Sequence, residues 1–168
     1  MTISEFKKLR KGAYPFSNAW HRKQLVKTRF GTFQVCFVMM HDDNPPDDEM
    51  LRLADELARY VQAHSEEISE IIYGSYRYTA SESDPDWLES WEVPADLKPD
   101  QIRKYCDPIL LVERNPTVRY VGPPYDCSIS VQPQWEPEHG LSLELRNGAI
   151  VSVNKRPFRI VNGILIEK

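Results

Sequence analysis

Between residues 134 and 154 the chain reads QWEPEHGLSLELRNGAIVSVN, which sets Trp135, Glu136, Glu138 and His139 beside an Asn147-Gly148 hairpin signal. Carboxylates and an imidazole this close together are the raw material of a metal or ligand site, or of a turn that braces itself. Glu138 and His139 are adjacent, so on an extended chain they point to opposite sides and do not readily chelate one ion together. A zinc centre needs further ligands, and His21, His41 and His64 fall at no zinc-like spacing. No metal and no cofactor is expected. The residues favour a turn-stabilising role for Glu138 and His139. The alternative is contact with a ligand or partner, because connections are where polar side chains reach solvent.

Other candidate chemistry is weaker. The run HDDNPPDD at 41–48 lacks the spacing of acids, glycine and distal glutamate that wraps calcium, and helix capping accounts for it. Three cysteines, an odd number with no C-x-x-C pair, suit a reducing compartment. Cys36 and Cys127 fall in strand-like runs, where cysteine acts as a small buried hydrophobe, which leaves Cys106 as the one expected to be exposed. A nucleophile would need a nearby base and a lowered pKa. The sequence patterns of serine hydrolases, phosphate loops, dinucleotide folds and HExxH metalloproteases do not occur, so no catalytic residue is assigned. An enzyme or small-molecule site would use a cleft near Trp135, Glu138 and His139, with Tyr125 or Asp126 as neighbours. Finally, Tyr73, Tyr76, Tyr78, Trp87 and Trp91 fall within nineteen residues flanked by acids. Most belong in the core and its rim by type, yet an acidic loop with two tryptophans also has the composition of a protein-binding hot spot.

The elements that must position these groups are outlined by hydrophobic periodicity. Residues 1–20 read as a basic arm or short helix around ISEFKKLRK, ending in the turn-prone GAYPFSN. QLVKTRF and TFQVCFVMM read as a β-hairpin about Gly31, and the second strand is apolar enough to be central and covered on both faces. Asn44 and Pro45 suit the N-cap and first position of a helix, with Asp47, Asp48 and Glu49 at the positive end of its dipole. Met50, Leu53, Ala54, Leu57, Ala58 and Val61 make its apolar stripe. The pattern restarts near His64, where Ser65 can cap a second helix bearing Ile68, Ile71 and Ile72. Trp87 and Trp91 are placed to stack on one side of a helical turn, and PDQIRKYC reads as a further short helix. PILLVERN, TVRYVG, DCSISVQ, LSLELRN and AIVSVN then read as strands, and FRIVNGILIEK as a C-terminal strand, hairpin or dimer-forming edge over 156–168.

Strands, then helices, then strands predict a single α+β domain, a mainly antiparallel β-sheet packed against a helix pair. At Asn147-Gly148 the register favours a three-residue loop with Gly148 left-handed. That loop pairs Leu143 with Val151 and Leu141 with Val153 and gathers the apolar residues on one face, whereas a two-residue turn would pair Leu143 with Ser152.

The order FGTFQVCF, a helix pair near 46–78, then WEPEHGLSLELRNG resembles an uncharacterised bacterial domain family. Its members carry a GTF strand, an acidic helix pair and a C-terminal W-[D/E]-x-E-H-G-L hairpin. The resemblance spans roughly residues 28–155, with Glu136 where the pattern usually has Asp, and it brings no activity, cofactor or ligand with it.

A chain of 168 residues, 41% hydrophobic, suits one packed domain. A net charge of -4 argues against nucleic-acid binding, which needs phosphate neutralisation by Lys and Arg. Charge is uneven: Lys7, Lys8, Arg10, Lys11, Arg22, Lys23, Lys27 and Arg29 crowd the start, and acids dominate 41–100. The basic segment either lies over the acidic middle of its own fold or belongs to a charged docking face. No signal-peptide core or membrane-length apolar run occurs, so a cytoplasmic, membrane-free location is expected. The expectation is a non-catalytic bacterial protein-binding module, toxin-neutralising or accessory, monomeric or homodimeric. Its binding residues would be Trp135, Glu136, Glu138, His139, Trp87 and Trp91, and a small-molecule binder or enzyme is the alternative.

Overall fold

The most apolar run of the sequence becomes the middle of a sheet. The protein is described by a computed structural model over residues 10–13, 16–21, 26–28, 32–39, 46–83, 85–114 and 125–167. Strand β4 (Thr32–Met39) buries Phe33, Val35 and Phe37 toward one face and Cys36 and Val38 toward the other, as a two-sided strand should. It pairs antiparallel with β2 (Phe16–His21) and β3 (Val26–Lys27), and β1 (Arg10–Ala13) pairs with β2. Arg10–Ala13 is thus a strand where the sequence offered an arm or helix, and of the stretch GAYPFSN read as a turn, residues 12–13 and 16–18 belong to β1 and β2, paired at Ala13 and Phe16, while 14–15 lie outside the described residues. Residues 1–9 of that segment and the predicted strand TVRYVG lie outside the described residues.

On its other side β4 runs parallel to β5 (Cys106–Arg114), and a parallel pair requires a crossover. The crossover is the helical layer: α1 (Asp48–Ala63), α2 (Ser65–Glu82), α3 (Pro85–Ser90) and a 3₁₀ turn (Ile102–Tyr105). The periodicity reading of the helices holds. Met50, Ala54, Leu57 and Val61 of α1 and Ile68, Ile71, Ile72 and Tyr76 of α2 are buried, each large one contributing about 1.5–3 kcal/mol. They meet Leu110 and Val112 of β5, Ile129 and Val131 of β6 (Tyr125–Pro133), Leu141 and Leu143 of β7 (Leu141–Arg146) and Val153 of β8 (Ala149–Val153) in one core. Cys36, Val38, Ile109 and Leu111 form a second cluster on the reverse face. The result is an α+β domain with a mainly antiparallel eight-stranded sheet, ordered β1-β2-β4-β5-β6-β7-β8 with β3 beside β4.

The caps differ from expectation. Asp47, not Asn44, caps α1, accepting the Met50 N–H at 2.9 Å. The residue before α2 is His64, which gives no side-chain cap, while Ser65 is already helical and buried.

The β7–β8 hairpin corrects the predicted loop. Asn147 (φ 51°) and Gly148 (φ 72°) make a two-residue turn that pairs Arg146 with Ala149 and Leu145 with Ile150. A bulge then shifts the register, so Leu143 faces Val153 and Val151 is left 44% exposed. Two-residue turn and one-faced apolar pairing coexist because the extra residue sits in the strand, not in the loop. FRIVNGILIEK folds as a separate hairpin of β9 (Phe158–Val161) and β10 (Ile164–Glu167), turning at Asn162-Gly163. It docks on α2 at Gly74, where an added Cβ would stand 3.0 Å from the Leu165 backbone nitrogen and 3.1 Å from Ile160 Cδ1. Arg77 donates to the Asn162 carbonyl at 2.9 Å.

Candidate functional site

The WEPEHG connection joins β6 to β7 and is pinned at its tryptophan. Trp135 is fully buried, meets Tyr76 edge-on with ring centroids 5.7 Å apart, and directs its indole N–H at Ser75 Oγ, 3.4 Å away. Its carbonyl accepts the Trp87 indole N–H at 3.0 Å, and Trp87 in turn meets Trp91 edge-on at 6.2 Å. The turn closes through Gly140 N–H to the Glu136 carbonyl at 3.1 Å. Gly140 has φ +67°, and a Cβ there would lie 3.1 Å from the Val131 carbonyl oxygen, so both conformation and space call for glycine.

The carboxylate that braces the turn is Glu136. Its Oε1 lies 2.8 Å from His139 Nδ1, and this hydrogen bond, with the Coulombic attraction behind it, raises the imidazole pKa above its ordinary value. Glu138 is exposed. A turn-bracing role thus falls to Glu136 and His139, three apart, where the sequence pointed to Glu138 and His139. His139 is exposed to solvent and paired within its own turn.

Glu136 and His139 also stand on the wall of a cleft of about 630 Å³, a volume in the small-molecule range. Ser75, Tyr78 and Thr79 of α2, Ser142 and Glu144 of β7, Asn154 to Arg156, and Leu165 and Ile166 of β10 complete it. Glu144 accepts from Ser152 Oγ at 2.7 Å and from the Lys155 backbone N–H at 3.1 Å, holding Lys155 at φ +63°. Spacing gives no hint of these residues, since the bulge, the Asn154-Lys155 turn and the appended hairpin bring them together. Tyr125 and Asp126 lie at the far end of β6 from the WEPEHG turn and do not line this cleft. Tyr125 instead donates to Asp47 at 2.9 Å, as does Arg114.

A second surface surrounds α3. Tyr76 donates to the Pro94 carbonyl at 2.7 Å and accepts the Leu97 N–H at 3.0 Å, while Tyr73 donates to the Leu97 carbonyl, so the 91–97 loop is stapled to α2. Trp91 leaves this staple 41% exposed. From Glu66 to Asp96 eight described carboxylates are exposed against the one cation Arg77.

The cysteines offer no nucleophile. Burial pushes the thiols of Cys36, Cys106 and Cys127 up to about 12, which keeps them protonated. Cys106, expected to be exposed, is buried because its side chain packs into the main core, with Sγ 3.4 Å from the Ile102 carbonyl, and Cys127 is the half-buried one. Among the described residues no group of three or more His, Cys, Asp or Glu is placed to hold a metal, and no helix is long and apolar enough to cross a membrane.

An acidic helix pair laid on a mainly antiparallel sheet, closed by a W-E-x-E-H-G turn, defines a small α+β domain class. The chain belongs to the family described as a domain of unknown function, DUF6985, whose model matches residues 6–156. No curated protein and no solved structure matches it.

Proposed function

We propose that this chain is a non-catalytic, cytoplasmic protein-binding module of a bacterial cell, toxin-neutralising or accessory to a partner protein, and that it binds through its α2–α3 surface. The carrying observation is the run of exposed carboxylates along the chain from Glu66 to Asp96, a stretch that also carries the exposed Trp91, edge-on to Trp87. Such a field steers a basic partner at long range, and an exposed tryptophan on a braced loop supplies the contact that desolvates on docking. Of the residues singled out in the sequence, Trp91 and half-buried Trp87 belong to this surface, and Trp135 supports it from the core.

The test is native mass spectrometry of the protein purified gently from its own host at low salt. A stoichiometric basic protein, released by high salt and lost from a Glu66→Lys/Glu70→Lys variant, is the expected result. A bare chain at every ionic strength counts against the reading. The cleft beside Glu136 and His139 supports a second reading, a small-molecule binder, and a co-purified small ligand lost on Tyr78→Ala substitution would favour it.

A further inference from the structure

The tip of α3 carries a recess whose floor is apolar and whose rim is acidic. Leu88 and Val93 are buried beneath it, Pro94 forms part of its wall, and Glu89 and Glu92 stand at its edge. The exposed Trp91 precedes Glu92 in the same turn and meets Trp87 edge-on. The turn is tightly set: Trp91 N–H and Val93 N–H both donate to the Leu88 carbonyl, at 3.2 and 2.9 Å, and Glu92 N–H donates to the Glu89 carbonyl at 3.0 Å.

The two rim carboxylates differ from the acids that α1 and the start of α2 hold in place. Glu49 and Glu56 are paired with Arg52, and Glu67 with Tyr60 and His64. The Glu89 and Glu92 side chains have no hydrogen-bond or ion-pair partner among the described residues. An apolar floor, two unengaged carboxylates and an adjacent indole are together complementary to a side chain with an aliphatic stem and a cationic end.

We propose that this recess is the anchor of the partner interface and takes an arginine side chain of a basic partner protein. The proposal rests on the protein-binding reading above. Arginine fits better than lysine because its planar fork reaches two carboxylates and its face stacks on an indole, whereas an ammonium is a compact, strongly hydrated point charge. The stem covers Leu88, Val93 and Pro94, and the guanidinium meets Glu89 and Glu92.

The test is a titration of the ¹⁵N-labelled full chain with the capped peptide Gly-Arg-Arg-Gly and its Lys-Lys counterpart. The Trp91 indole N–H and the Glu92 and Val93 amides are expected to shift saturably, with the arginine peptide binding more tightly and Glu92→Gln weakening it about tenfold, as loss of a charge-assisted hydrogen bond does. Glu92 sits at φ 55°, so Glu92→Gly is a second variant: it relieves the backbone, raises Tm, and weakens the peptide all the same. Shifts confined to Glu66–Glu70, or equal for both peptides, overturn the anchor. So does an isolated partner complex that Glu89→Gln/Glu92→Gln leaves unchanged, and that outcome leaves the protein-binding reading standing. Absence of any partner in the host overturns that reading instead.

Discussion

His139 shows how one residue can look like chemistry and act as a brace. Its Nδ1 faces Glu136 at 2.8 Å across three residues, and the raised pKa reports that contact, since the ring is otherwise open to water. A folded-state pKa above the unfolded value means the contact stabilises the turn fully below about pH 6.5 and is lost as pH rises through the raised value. An NMR titration of the imidazole is therefore expected to give a pKa above 6.5 that falls back in Glu136→Gln, while Glu138→Gln moves it much less. The same pKa in wild type and Glu136→Gln would refute the brace. This pairing was only half legible in the sequence. The motif marked the turn, but which glutamate meets the imidazole depends on the backbone closing from Gly140 N–H to the Glu136 carbonyl, which places residues 136 and 139 on the same side.

Among the elements, the helices and most strands were legible because their periods are local properties of the chain. The stripe from Met50 to Val61 and the alternation Leu141, Leu143 each state which side is buried. The β7–β8 register was not, because a bulge is a choice about where one extra residue goes, and the sequence permits it in loop or strand alike. Nor did anything in the local sequence show that Gly74, in the middle of α2, is a docking point for the β9–β10 hairpin. Glycine is costly inside a helix, and close approach of the Leu165 backbone explains it here. Gly74→Leu is expected to leave α2 helical and to displace the hairpin. Hydrogen exchange should report this as faster exchange at residues 158–167 with little change in β6 and β7, and unaltered protection of the hairpin would show that Gly74 is not its seat. Because β10 contributes Leu165 and Ile166 to the cleft wall, the same variant opens that cleft.

For the whole molecule, Asp47 is the residue that ties layer to layer. It caps α1, takes Arg114 from the end of β5 at 2.9 Å and Tyr125 from the start of β6 at 2.9 Å. Burial pushes its carboxyl up, but the hydrogen bonds from Met50, Tyr125 and Arg114 outweigh that and hold it below the usual carboxylate range. A depressed pKa contributes stability that is present above about pH 3.9 and lost as pH falls through the folded-state value. Asp47→Ala is expected to cost about 1–2 kcal/mol at neutral pH in denaturant unfolding, with the gap to wild type closing in acid. A constant gap down to pH 2 would show the cap alone, without the charge, to be responsible.

The parallel join of β4 to β5 has a kinetic consequence. Each partner pair in that ladder is 75 residues apart, Gln34 with Ile109 for one, while β6, β7 and β8 pair across at most 18, Cys127 with Leu145. Closing the longer loop costs more chain entropy, so the β6–β8 meander can assemble early and the β4–β5 ladder waits for the helical crossover to collapse. Until then β4, which like β5 has apolar side chains on both faces, is open along that edge to any other chain it meets. The step most exposed to aggregation during synthesis is therefore the docking of a strand that ends up buried on both faces.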